Sequence, residues 1–468
     1  MQRRTFLGTL GAAAAATAQE MPRPGRYEAN WESLRRHQVP KWYEDAKLGI
    51  FIHWGLYSVP AWAPPTGELG KVDWSKWFYQ NPYAEWYLNS IRLPESATAR
   101  HHAETYGADF DYYRFAETFN RGVRQWQPGE WASLFKQTGA RYAVLTTKHH
   151  DGFTLWPSKV PNPKRPGGLS VSRDVTGELT TAVRAAGLEM GLYYSGGLDW
   201  TFEATPVAQL GDLRKTAPQS AEYGAYADAH WRELMDRYEP SILWNDITYP
   251  KSGNLAAIFA DYYNRFPQGL VNNRFGVEHA DFTTPEYAKY DKITEKKWES
   301  CRGLGFSFGY NQIEGPEHVL SAGKLVSMLA DIVSKNGNLL LNIGPRPDGS
   351  ISEIQLDRLR ALGRWMSVNG EAIHDTRSWV RAGTGNVRFT RKQDAVYALL
   401  LERPAAGPLT IPGVIAAEGT SIRALGAGAP LAFEQKGRDL AVTIPPGVPG
   451  EHTMALKIQP LPYQVVRE

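Results

Sequence analysis

From about residue 45 to residue 370, short apolar runs alternate with amphipathic helical patterns, and this rhythm constrains the fold more than any other property of the chain. Strands are predicted over 48–53, 142–147, 190–195, 241–246, 270–273 and 339–343. Helices are predicted between and after them, over 129–138, 179–186, 223–238, 255–266, 324–334 and 354–368, with Asp174 placed to cap the second. Strands alternating with helices imply βα units around a parallel sheet. About six countable strands in that length fit a TIM-like (β/α)8 barrel with irregular units, and a doubly wound open sheet is the competing arrangement. No Gly-x-Gly-x-x-Gly follows an early strand, so a dinucleotide fold has no support.

After about Asp375 the texture changes. Short strand-like runs over 386–390, 395–401, 409–411, 421–424, 440–444 and 454–458 are separated by Gly- and Pro-rich turns, with no helical pattern between them. That reads as a C-terminal antiparallel β-sandwich domain. The expected organisation is an export signal over 1–20, a barrel over 21–374 and the sandwich over 375–468.

The signal rests on Arg3 and Arg4, an Ala-rich apolar stretch and the small-residue end Ala16-Thr17-Ala18. Its apolar run is shorter than the ~20 residues of a spanning helix. Paired arginines followed by Phe6-Leu7 give it twin-arginine character, with cleavage expected after Ala18 and a periplasmic or extracellular mature chain. No later stretch is long and apolar enough to span a membrane. Charge is balanced, 52 Lys and Arg against 49 Asp and Glu, which argues against a nucleic-acid surface or a polybasic membrane patch. The single cysteine, Cys301, excludes intramolecular disulfides and thiolate-based zinc or iron–sulfur sites; it reads as structural.

Polar and aromatic residues gather at the C-terminal ends of the predicted strands, where parallel barrels build their sites. Phe51-Ile52-His53-Trp54-Gly55 ends one strand and Thr147-Lys148-His149-His150-Asp151-Gly152 another. Tyr193-Tyr194-Ser195, Trp244-Asn245-Asp246 and Asn272-Asn273-Arg274 end three more. A lone histidine at a strand end is ordinarily a satisfied buried group, but five such ends coinciding point to a site. His53, His149 and His150 could suggest a metal, yet adjacent strand residues face opposite ways, so His149 and His150 are not expected to share an ion. The expectation is no metal and no cofactor. Imidazoles and indoles around a small cavity suit a sugar, whose hydroxyls need hydrogen bonds while one face is apolar. Twelve per cent aromatic residues agree with that without requiring it.

Cleaving a glycosidic bond takes two carboxyl groups. Asp246, at the end of an apolar strand beside Trp244, is the best-placed nucleophile. Asp281, Glu286 and Glu299, in the loop expected after Arg274, are candidates for the acid, and spacing does not choose among them.

At these residues the chain resembles the glycoside hydrolase family 29 α-L-fucosidases of exported, bacterial type. The resemblance is carried by Phe51-Ile52-His53-Trp54-Gly55, Glu85-Trp86-Tyr87, Lys148-His149-His150-Asp151-Gly152-Phe153 and Leu243-Trp244-Asn245-Asp246. Trp298-Glu299-Ser300-Cys301, Ser307-Phe308-Gly309-Tyr310-Asn311 and Asn338-Leu339-Leu340-Leu341-Asn342 complete the set. It implies a retaining, cofactor-free exo-fucosidase with Asp246 as nucleophile. Glu286 matches the acid/base of bacterial relatives and ranks first, while Glu299 matches the position implicated in animal relatives. The implied fucose pocket is His53, Glu85, Trp86, His149, His150, Tyr193, Trp244, Arg274 and Phe308. Fucosylated glycans or oligosaccharides would be its partners, and self-association into a homo-oligomer is compatible with the chain. Asn272-Asn273 and Phe275 depart from the family pattern around the retained Arg274, which is expected to alter the pocket's charge. The rival readings are a catalytically silent fucose-binding protein, the same fold acting on α-L-galactose, and a metal-dependent hydrolase using the histidines.

Overall fold

The computed structural model describes residues 27–448 and 450–464; the expected export signal lies outside them. Seven parallel strands form the central sheet: β1 Leu48–Ile52, β2 Tyr142–Lys148, β3 Glu189–Tyr194, β4 Ile242–Asn245, β5 Leu270–Val271, β6 Trp298–Gly303 and β7 Gly337–Ile343. Their spatial order is β5-β4-β3-β2-β1-β7-β6. Nearly all of their residues are buried, because barrel walls are covered on both faces and so read as continuous apolar runs.

The gap between β5 and β6 is closed by residues 281–287. On one side the Asp281 amide donates to the Val271 carbonyl; on the other, Thr283 and Tyr287 donate to Lys297 and Cys301, and Glu299 and Cys301 donate to Thr283 and Pro285. This eighth stave is irregular, since Pro285 has no amide hydrogen to give and Tyr287 takes a left-handed φ of 48°. The result is a closed TIM-like ring rather than an open sheet.

Helices Pro128–Thr138, Val175–Ala185, Ala221–Tyr238, Leu255–Arg265, Ala322–Ser334 and Glu353–Asn369 pack around the ring. Asp174 caps the second of these by accepting from the Gly177 amide, as expected. β6 was not predicted: Trp298-Glu299-Ser300-Cys301-Arg302-Gly303 carries polar residues into the barrel, and the sequence places Glu299 in a loop. It lies in this strand.

Beyond Asp375 a five-stranded antiparallel sheet runs in the order Ser421–Ala424, Ala455–Gln459, Val396–Leu400, Val387–Arg391, Arg377–Thr384. It faces a three-stranded sheet of Gly407–Ile411, Asp439–Ile444 and Phe433–Lys436. Alternation along Val396–Leu400 sends Val396, Ala398 and Leu400 into the sandwich core, and Tyr397 and Leu399 into the core shared with the barrel.

Candidate active site

The strand ends and the closing stave surround a cavity of about 230 Å³. That is below the roughly 300–1,000 Å³ of sites for drug-sized ligands, and suits a single sugar ring. All nine residues of the implied fucose pocket line it, together with Asp246 and Glu286.

Asp246 directly follows β4. Its Oδ1 accepts from Arg274 Nη1 at 2.7 Å and from the Ile247 amide at 2.8 Å, and its Oδ2 accepts from Tyr193 Oη at 2.8 Å. Burial alone would raise this carboxyl's pKa; the Arg274 charge, then His150 and the hydrogen bonds outweigh it, so it titrates below the ordinary range. Arg274 sits in the turn after β5 with its guanidinium 4.8 Å from the Trp244 ring. Its Nη2 donates to Glu286 Oε2 at 2.9 Å, so one guanidinium bridges two carboxyl groups. Glu286 Oε1 accepts from Tyr83 Oη at 2.8 Å.

His53 and His150 are each held through one nitrogen with the other free. Asn342 Nδ2 donates to the Phe308 carbonyl, which turns its Oδ1 toward His53 Nδ1 at 2.6 Å. His53 therefore carries its proton on Nδ1. Ser195 Oγ likewise donates to the Leu198 carbonyl and accepts from His150 Nδ1 at 2.6 Å. Burial pushes His53 down to about 3 and His150 to about 4, so both are neutral and present a bare Nε2 able to accept from a hydroxyl. Burial likewise depresses His149, whose Nδ1 is buried without a hydrogen-bond partner. The expectation that His149 and His150 face opposite ways fails: β2 ends at Lys148, the alternation ends with it, and both rings line the cavity with centroids 4.0 Å apart. Among the described residues, no group of three or more His, Cys, Asp or Glu is arranged to hold a metal ion.

The remaining candidates separate cleanly. Glu299 is fully buried and accepts from Tyr43 Oη at 2.8 Å, Tyr142 Oη at 2.5 Å and Trp244 Nε1 at 2.9 Å. It lies two residues before Cys301 on the same face of β6, roughly 6.6 Å deeper along the strand. Cys301 lines the cavity and Glu299 does not. Asp281 is also absent from the lining; it accepts from Tyr263 Oη at 2.8 Å and the Val271 amide at 2.7 Å, and pairs with His37 Nδ1 at 2.8 Å. Asn272, Asn273 and Phe275 also lie off the cavity, so the departure around Arg274 places none of its side chains on the pocket wall. Asn272 instead exchanges bonds with the Asn245 backbone, and Phe275 packs on Trp231, Tyr249 and Phe259. Sequence reasoning missed Tyr83; its place two residues before Glu85-Trp86 is the one signal that could have found it.

A parallel barrel whose strand ends enclose a ring-sized cavity, with bare imidazole nitrogens for hydroxyls and two carboxyl groups on its wall, defines a glycoside hydrolase. Comparison with known proteins narrows the class. The model of the alpha-L-fucosidase family matches residues 14–371, and that of the alpha-L-fucosidase C-terminal domain matches 382–459. Tissue alpha-L-fucosidase of Homo sapiens is 34% identical over 472 residues, covering 96% of this chain and 95% of that protein. The structure of Thermotoga maritima alpha-fucosidase in complex with fucose aligns with a TM-score of 0.84 at 45% identity, covering 92% of this chain and all of that one. Another solved alpha-L-fucosidase gives a TM-score of 0.88 at 47% identity, covering 93% of this chain and 100% of that one. The chain belongs to the alpha-L-fucosidase family.

Proposed function

We propose that the protein is a retaining exo-α-L-fucosidase, with Asp246 as nucleophile and Glu286 as general acid and base. The observation that carries this is the Arg274 guanidinium joining both carboxyl groups on the wall of one small cavity. A retaining enzyme works with carboxyl groups about 5–5.5 Å apart and needs no water between them, whereas inversion needs about 6.5–9.5 Å. The cavity's size supports exo action on one terminal fucosyl unit.

In the first step Asp246 attacks the anomeric carbon. Oδ2 has one donor where Oδ1 has two, which favours Oδ2 as the attacking atom. The bond from that carbon to the glycosidic oxygen breaks, and Glu286 gives the departing oxygen its proton. Glu286 needs a neighbour that tolerates both of its states. Tyr83 provides this, because a phenol donates to the carboxylate and accepts from the acid, whereas Arg274 only donates. Glu286 then takes a proton from water as that water attacks the fucosyl–Asp246 ester, and fucose leaves with its configuration retained. His53, His149 and His150 hold ring hydroxyls, while Trp86, Trp244 and Phe308 cover the apolar face. Export through the segment 1–20 to the periplasm or outside the cell is part of this reading, supported by Arg3-Arg4 and the Ala16-Thr17-Ala18 end.

The test is hydrolysis of an aryl α-L-fucoside. Asp246→Ala should lose turnover by about 10⁴-fold or more yet still bind fucose. Glu286→Ala should suffer most on substrates with poor leaving groups and be rescued by azide. Normal turnover in Asp246→Ala rejects the nucleophile, and azide rescue of Glu299→Ala instead transfers the acid/base role. Fucose binding without turnover by the intact chain would make it a silent fucose-binding protein.

A further inference from the structure

The cavity changes character with depth. Its inner wall is polar and buried: His150, Tyr193 and Trp244 are each 1% exposed. Of the two carboxyl side chains, Asp246 is the deeper, 10% exposed against 21% for Glu286. Farther out still, the lining includes Trp74 and Leu210, 40% and 46% exposed. They come from separate segments, Trp74 from the connection after β1 and Leu210 from that after β3. Half-buried Leu213 lines the cavity beside them. Neither Trp74 nor Leu210 belongs to the buried core of the barrel or the sandwich; the Trp74 ring lies 5.7 Å from that of core Trp77 yet keeps 40% of its surface exposed at the mouth.

The chemistry says what lies there. With fucose held by the inner wall, the glycosidic oxygen points toward Glu286, and whatever that oxygen carries must project outward past it. The group leaving the site therefore meets Trp74, Leu210 and Leu213. A pyranose ring has an apolar C–H face that fits a flat indole and a polar rim that stays in water.

We infer that Trp74, with Leu210 and Leu213, forms a leaving-group subsite that takes the C–H face of a pyranose, so that the enzyme prefers fucose attached to another sugar over fucose attached to a small alcohol. This rests on the fucosidase reading. The subsite binds the leaving group while it is still attached, which makes Trp74 a determinant of specificity rather than of the chemical step.

The experiment compares kcat/KM for a fucosyl-galactose disaccharide with kcat/KM for methyl α-L-fucoside, whose alcohol needs the same acid but is too small to reach the mouth, and uses α-L-fucosyl fluoride as the check of basal activity. In Trp74→Ala the disaccharide-to-methyl-fucoside ratio should fall about tenfold, and Trp74→Tyr should restore most of it. Leu210→Ser, on the other segment, should lower the same ratio about threefold and guards against a folding defect peculiar to Trp74. A ratio unchanged in both Trp74→Ala and Leu210→Ser overturns the subsite and leaves the fucosidase reading intact. Failure of the unaltered protein to cleave the fluoride overturns that reading, and the subsite with it.

Discussion

Glu85 shares the cavity with Asp246 and Glu286, the two carboxyl groups proposed to change state during turnover. Its own carboxyl is pushed up to about 8, chiefly by burial and further by the Glu286 charge, against the hydrogen bonds from the Gly309 amide and Ser307 Oγ. At neutral pH it therefore keeps its proton and can donate to a sugar hydroxyl. As pH rises through about 8 it becomes a further negative charge beside Glu286, so kcat/KM should fall there. Glu85→Gln has no proton to lose and should lack that alkaline limb; a limb unmoved in the variant would sink the assignment. Glu299 is the opposite case, a carboxyl held off the cavity by three buried donors. Glu299→Ala would strand the donors of Tyr43, Tyr142 and Trp244 in the barrel and should cost about 3 kcal/mol, read from the urea midpoint. Six of the nine implied pocket residues, His53, His149, His150, Tyr193, Trp244 and Arg274, were legible from their strand-end positions, whereas Glu85, Trp86 and Phe308 came only through the family resemblance. Tyr83 was not, because it stands in an irregular stretch with no periodicity to mark its direction.

Among the elements, the stave over 281–287 governs the site most directly, because it brings Glu286 to the cavity wall within reach of the Arg274 guanidinium that also holds Asp246. Asp281 pins its start through His37, Tyr263 and the Val271 amide. Asp281→Ala should destabilise the fold by about 2 kcal/mol and loosen Glu286 without touching substrate. Turnover of aryl fucosides with poor leaving groups should then fall several-fold more than turnover of fucosyl fluoride, which needs no acid; equal losses would mean the stave holds without Asp281. The same element explains where reading the sequence stopped. The six predicted strands are apolar runs flanked by helical patterns, and each appears within a residue or two of its expected place. The stave has a proline and a left-handed tyrosine where alternation should be, and β6 hides behind Glu299, Ser300 and Arg302. Both lie beside the cavity and carry polar side chains in place of an apolar run, so apolar periodicity fails next to the site it would have located.

Across the whole molecule, barrel and sandwich are joined by charge as well as by packing. Asp331, on the helix Ala322–Ser334, holds Lys335 at 2.9 Å, Lys289 at 2.6 Å and Arg388 of the sandwich at 2.5 Å. Burial would raise its pKa, but hydrogen bonds from Lys289, Arg388 and Lys335 bring it down to about 2. A folded-state pKa below the unfolded value means that its contribution is complete above about pH 4 and is lost as pH falls through about 2. Asp331→Ala should cost about 3 kcal/mol at neutral pH and split the calorimetric melt into two transitions. A single, unshifted transition would show that packing alone locks the two parts together. The alternating faces of Val396–Leu400 carry a practical consequence. Because Tyr397 and Leu399 complete the barrel's own core, a gene cut short before the sandwich would not yield a smaller working hydrolase. It would yield a sticky one, its outer helices bare of their apolar cover and prone to clump during synthesis.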